Sequence, residues 1–176
     1  MKCLFIHPKD ITTDFLKPIY KGLRNKTVIS ENFSAIEQEL QKDYDTVVLL
    51  GHGWMGGLVD KRESRTIFGG EYAENIRNKN VISIFCNAYD YMHIYKIDGF
   101  ATGMFISEPA EAVAYDVVAT KEQINSSNAL FAEVIKNAIR KHIKDIYHYV
   151  KKYYVEEGNP VVKINRQFMN IDPWED

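Results

Sequence analysis

Three short runs constrain the fold more than any other feature of this chain: KCLFIH at 2–7, TVVLL at 46–50 and VISIF at 81–85. Each is apolar at nearly every position, and stretches with helical spacing separate the first from the second and the second from the third. A strand with one face in water alternates apolar and polar residues. An unbroken apolar run is a strand buried on both faces, as in a parallel sheet covered by helices on two sides. The alternation therefore predicts an α/β chain, a three-layer α/β/α sandwich with a mostly parallel central sheet. TVIS at 27–30 and ATGMFIS at 101–107 read as further strands.

The helical stretches fill the gaps. A helix capped by Thr13 or Asp14 runs to Leu23, and one capped by Ser34 runs to about Tyr44, with Glu37 completing a capping box. Short helices follow at 71–78 and from Pro109 to about Val117. A long one spans Ser127 to Tyr154 and ends before Gly158-Asn159-Pro160. GLVD and RTIF, flanking the charged turn KRESR, form a small hairpin within the glycine-rich stretch 54–70. The last residues hold a final strand and a polar tail from about 165 to 176.

A length of 176 residues suits a single domain able to build a core without disulfides or metal. The net charge of −2 gives no reason to expect a nucleic-acid partner. No apolar stretch approaches the length of a membrane helix, and the residues after Met1 do not form a signal peptide. Two cysteines are too few for a disulfide framework. The expectation is a cytoplasmic protein with reduced thiols, with Cys3 a small buried hydrophobe.

Chemistry in open parallel sheets gathers beyond the carboxyl ends of the strands. His52 follows TVVLL after one glycine, and Cys86 follows VISIF directly. If those strands are neighbours, their backbones lie about 5 Å apart and an imidazole can meet a thiol. Such a dyad supports nucleophilic catalysis. The imidazole takes the thiol proton and later protonates the leaving group. The Cys86 of such a dyad is expected to have a lowered pKa and to alkylate faster than Cys3. Gly53, lacking a side chain, and Cys86 are expected to supply the backbone N–H donors of an oxyanion hole. His7 lies on the same edge in projection, and His93 follows Cys86 by seven residues. Their spacing matches no zinc pattern, and GHGWMGG at 51–57 lacks the signature of a phosphate loop. No metal or cofactor is expected.

The order strand, Gly51-His52-Gly53, glycine-rich loop, helix, strand, Cys86 resembles the caspase-like superfamily of cysteine peptidases. That group includes caspases, metacaspases, gingipains, separases and bacterial CHAT domains. GFATGMFISEPAEAVAY at 99–115 also resembles the small bacterial CHAT-like pattern of a strand ending in a small polar residue and leading into a helix. The likeness spans roughly residues 1–140. It implies His52 and Cys86 as the catalytic pair. The chain departs from the caspase signature in having Phe85 before the cysteine, Asn87-Ala88-Tyr89 after it and a His–Cys spacing of 34. Ile84 stands where metacaspases carry an aspartate.

Members of that superfamily usually select the P1 side chain by charge. Glu108, Asp90, Asp98 and Glu111 are the acidic residues of the loops following Cys86 that could bind a basic P1 residue, and Glu108 is preferred because it follows a strand end on the Cys86 edge. The implied substrate is a peptide or protein. Activity of this kind calls for control by autoprocessing, a regulatory protein partner or a metal ion, and KRESR is a candidate self-cleavage site. The basic helix face around Lys141 and Lys144 and the tyrosines 147, 149, 153 and 154 suit packing on the domain or on a second copy in a homodimer. Two alternatives remain beside the endopeptidase: a catalytically silent caspase-like domain that binds proteins, and a flavodoxin-like domain that binds a small molecule.

Overall fold

The computed structural model describes residues 1–169. Its centre is a five-stranded sheet of β1 (Cys3–Ile6), β2 (Lys26–Ile29), β3 (Thr46–Leu50), β7 (Asn80–Ile84) and β8 (Gly99–Ala101). The strand order is β2-β1-β3-β7-β8 and every pairing is parallel. A separate antiparallel sheet of β4 (His52–Trp54), β5 (Gly57–Asp60) and β6 (Arg65–Phe68) holds the hairpin read from GLVD and RTIF.

The two-residue period of the strands divides the core. Phe5, Val48, Leu50, Ile82, Ile84 and Phe100 face one layer. That layer comprises a 3-10 helix (Ile11–Ile19), α5 (Lys121–Ala138), α6 (Ile143–Tyr153) and α7 (Pro160–Phe168). Leu4, Ile6, Val47, Leu49 and Val81 face the other way. They meet α1 (Ile36–Leu40), α2 (Ala73–Ile76), α3 (Ala88–Ile94) and the inner side of the hairpin, Leu58, Ile67 and Phe68. α4 (Pro109–Ala114) lies at the carboxyl edge of the sheet, beside a small cluster of Ile106, Ala112, Ile124 and Val161. These layers form the predicted α/β/α sandwich.

Several boundaries differ from those expected. The first helix is a 3-10 helix capped by Asp10, whose side chain accepts the Thr12 N–H, rather than a helix capped at Thr13 or Asp14. Pro18 lies inside it and cannot donate a backbone hydrogen bond. Ser34 caps nothing: its hydroxyl donates to Asn32, and α1 ends by Leu40. The strand expected at 101–107 ends at Ala101, because Thr102 turns back on the Phe85 carbonyl and Gly103 donates to Phe168. The helix expected from Ser127 to Tyr154 is two helices. A capping box of Thr120 and Gln123 starts the first, and residues 139–142 turn the chain so that both apolar faces reach the sheet. The final strand is instead α7, capped by Asn159 with Pro160 in its first turn. Of the polar tail, residues 170–176 lie outside the described residues.

Candidate active site

The sheet places its reactive residues by two local devices. Gly51 ends β3 at φ 141°, a conformation that L side chains rarely adopt. Its N–H donates to the Ile84 carbonyl, and the chain leaves the central sheet to begin β4 with His52. On the neighbouring strand, Cys86 directly follows Phe85. Asn87 then takes a left-handed conformation (φ 61°, ψ 27°) that only a few residues besides glycine tolerate readily, and α3 begins. β3 and β7 are adjacent, with Leu50 opposite Ile84.

His52 and Cys86 thus line one cavity at the carboxyl edge of the sheet. Its remaining walls come from Thr13, Phe15 and Leu16 after β1, from Ile84 and Phe85, and from Phe105, Ser107 and Glu111 after β8. The pair lies at the carboxyl ends of β3 and β7, beside the point between β1 and β3 where the strand order changes direction. The cavity is about 20 Å³, room for one water-sized group.

Two residues not singled out in the sequence hold the histidine. His52 Nε2 lies 2.7 Å from Thr12 Oγ1. The Thr12 hydroxyl donates to Asp10 Oδ1 at 2.8 Å, and so does the Thr12 N–H, also at 2.8 Å. Asp10 Oδ2 is 3.6 Å from His52 Nε2. Burial alone would raise the Asp10 carboxyl, but the two Thr12 donors, helped by His52 and Lys61, bring it below its ordinary range. The sequence signal for this arrangement is Asp-x-Thr just beyond the first strand, a turn in which the acidic side chain bonds backbone two residues on.

The electrostatics describe a neutral resting pair. Burial lowers the His52 pKa, and the Lys61 ammonium adds to that. Asp10, Glu108 and Glu111 act in the opposite sense. Burial raises the Cys86 thiol, Glu111 raises it further, and a backbone hydrogen bond from Phe105 opposes both. This corrects the expectation of a lowered thiol. With its pKa raised, Cys86 rests as S–H rather than as thiolate. Cys3 is a buried free thiol, also raised by burial.

The expected oxyanion donors divide. Among the described residues, the Cys86 N–H has no hydrogen-bond acceptor. Gly53 lies in β4 opposite Leu58, and a Cβ there would fall 2.2 Å from the Phe85 ring. Packing against Phe85 therefore accounts for the missing side chain at Gly53.

The four acidic candidates also separate. Glu108 lies at the rim, 3.6 Å from Lys61 Nζ. Asp90 is exposed on α3. Asp98 lines a different cavity, of about 270 Å³, with Tyr89, His93 and Lys96. Glu111, the fourth acidic candidate, reaches the central cavity. One of its oxygens accepts from the Ser107 N–H (2.7 Å), the Ser107 hydroxyl (3.0 Å) and the Glu108 N–H (3.0 Å). His7 is buried between the hydroxyls of Tyr20 (3.0 Å) and Thr13 (3.2 Å), and His93 stacks on Tyr89. Tyr147, Tyr149 and Tyr154 pack on the domain's own core.

Among the described residues, no group of three or more His, Cys, Asp or Glu side chains could hold a metal ion. No helix among them is long and apolar enough to cross a membrane. Comparisons with protein-family models, curated proteins and solved structures returned no match.

Proposed function

We propose that the protein is a cysteine hydrolase of the caspase-like type, an endopeptidase that transfers an acyl group to Cys86 with His52 as general base. One observation carries this reading: a half-buried thiol and an imidazole held from behind by Thr12 and Asp10 share one cavity at the carboxyl edge of a parallel sheet, beside its switch point. His52 removes the Cys86 proton as sulfur attacks the scissile carbonyl carbon. The Cys86 N–H donates to the oxyanion. The imidazolium returns its proton to the leaving amine, giving a thioester on Cys86. Water, deprotonated by the now neutral His52, then hydrolyses the thioester and restores the thiol.

A cavity of about 20 Å³ admits the reacting carbonyl and little else. The flanking peptide lies across the rim, where Lys61 and Glu108 stand. Glu108 already accepts a lysine ammonium from this chain, which supports a basic P1 residue in the substrate. Two free cysteines suit a reducing compartment, and we propose the cytoplasm on that ground.

Two observations favour a second reading, a silent caspase-like domain that binds a protein partner: the raised thiol and the narrowness of the cavity. The flavodoxin-like alternative loses ground for the same reason, since small-molecule sites usually span about 300–1,000 Å³.

The test is labelling by a peptidyl acyloxymethyl ketone with lysine at P1, with the adduct located by mass spectrometry. Hydrolase function requires modification at Cys86 and not Cys3, loss in Cys86→Ala, at least about a 10²-fold slower rate in His52→Ala, and slower labelling in Glu108→Gln. An unlabelled Cys86, or labelling indifferent to His52→Ala, would reject it.

A further inference from the structure

Resting on that hydrolase reading, we infer that Asp10 and Thr12 are positioning residues that fix His52 in its Nε2–H tautomer, so that Nδ1 is the nitrogen that takes the Cys86 proton. A hydroxyl has one proton. The Thr12 hydroxyl lies 2.8 Å from Asp10 Oδ1 and 2.7 Å from His52 Nε2. A carboxylate only accepts, so the hydroxyl proton must lie toward Asp10; otherwise two oxygen lone pairs would face each other at 2.8 Å. Thr12 Oγ1 then has only lone pairs left for the histidine, and Nε2 must donate. The chain of donors runs His52 Nε2–H to Thr12 Oγ1–H to Asp10 Oδ1.

The alternative direction needs a protonated Asp10 that donates to Thr12, whose hydroxyl would then donate to a bare Nε2. The Thr12 N–H, which also points at Oδ1, favours the ionised carboxylate. The side chains concerned are mostly shielded, with 14% of Asp10 and 19% of His52 exposed. The other charged groups acting on the ring are Lys61, Glu108 and Glu111.

Two consequences follow for the reaction. The neutral ring offers one lone pair, at Nδ1, because Nε2 is engaged by Thr12. When Nδ1 gains the thiol proton, the cation lies with Asp10 Oδ2 3.6 Å from Nε2, which stabilises the charge where it forms. Thr12 is needed because it sets the direction of the proton in the relay, not merely because it fills space.

The test uses the intact chain labelled with 15N. Long-range proton–nitrogen spectra report the two ring nitrogens of each of the five histidines, and His52→Gln identifies the signals of His52. The expected spectrum has Nε2 at the pyrrole-like end and Nδ1 at the pyridine-like end. Thr12→Val should bring the two shifts together as the tautomers mix, and Thr12→Ser should restore them. Asp10→Asn should leave the tautomer in place, because the Thr12 N–H keeps the amide oxygen at the Oδ1 position where it still accepts the Thr12 hydroxyl, and should slow Cys86 labelling through loss of the charge 3.6 Å from Nε2. Labelling of Cys86 by the lysyl ketone should fall about 10²-fold in Thr12→Val and recover in Thr12→Ser. A wild-type His52 protonated at Nδ1, or shifts unchanged in Thr12→Val, overturns the inference. The expected spectrum with an unreactive Cys86 supports the relay and rejects the hydrolase, so the two failures are distinct.

Discussion

Replacing Gly53 by alanine should destabilise the domain, chiefly through a clash with Phe85. A Cβ at this position would fall 2.2 Å from Phe85 Cδ2, 2.7 Å from Cγ and 2.8 Å from the Gly57 carbonyl oxygen. No carbon atom occupies such a position, so either the ring or the β4–β5 pairing must shift. Phe85 is 2% exposed and packs edge-on against Tyr91 at 5.8 Å, so it cannot swing into solvent. Overpacking of this kind costs about 1–3 kcal/mol. With a urea slope of about 2 kcal/mol per molar, the unfolding midpoint should fall by roughly 0.5–1.5 M. Trimming the ring should return part of the loss. In a Phe85→Leu background, the added cost of Gly53→Ala should be smaller by about 1 kcal/mol, a coupling that a double-mutant cycle measures. The Gly57 oxygen remains, so the cost should not vanish. Because Phe85 precedes Cys86, the single variant should also react more slowly with the lysyl ketone. A variant as stable as the parent, or a cost unchanged by Phe85→Leu, would refute the packing explanation of this glycine.

Stability should also depend on His7. Burial lowers its pKa to about 4, while the unfolded chain has the ordinary value of 6.5. The folded state therefore prefers the neutral ring. Its contribution is complete above pH 6.5 and is lost as pH falls from 6.5 towards 4. The lost stability reaches about 2 kcal/mol at pH 5 and about 3 kcal/mol below pH 4. Urea midpoints at pH 7 and 5 should fall further apart for the parent than for His7→Gln; equal pH dependence would contradict the assignment. Asn165 is fully buried and grips both sides of Ile106, accepting its N–H at 2.7 Å and donating to its carbonyl at 3.0 Å. Asn165→Leu strands two backbone groups and should cost about 2–5 kcal/mol by urea titration, with a loss under about 1 kcal/mol counting against that role.

The layers of the fold were legible because unbroken apolar strands admit few other arrangements. KCLFIH, TVVLL and VISIF became β1, β3 and β7 within a residue or so. Helix ends were harder to read for identifiable reasons. No glycine or proline marks the break at residues 139–142, and the apolar period continues across it from Ile135 to Ile146. Val161, Val162 and Ile164 have strand-like side chains, yet Asn159 and Pro160 form a cap and first turn that start a helix. The neighbouring positions of His52 and Cys86 followed from strand adjacency. Asp10 and Thr12 did not, because their contact with His52 bridges 40 residues of sequence across two strand ends. The raised thiol was equally hidden, since burial by Phe105 and its neighbours depends on where the chain turns after Ala101.

The imidazole and the sulfur belong to different sheets. His52 opens the small antiparallel sheet, while Cys86 stands on the end of a central strand. Breaking the few hydrogen bonds of the small sheet costs less than melting the centre, so partial opening there carries His52 away from Cys86 while the body of the protein stays folded. The hairpin that carries Lys61 is the same unit, and whatever grips that turn also acts on the position of His52.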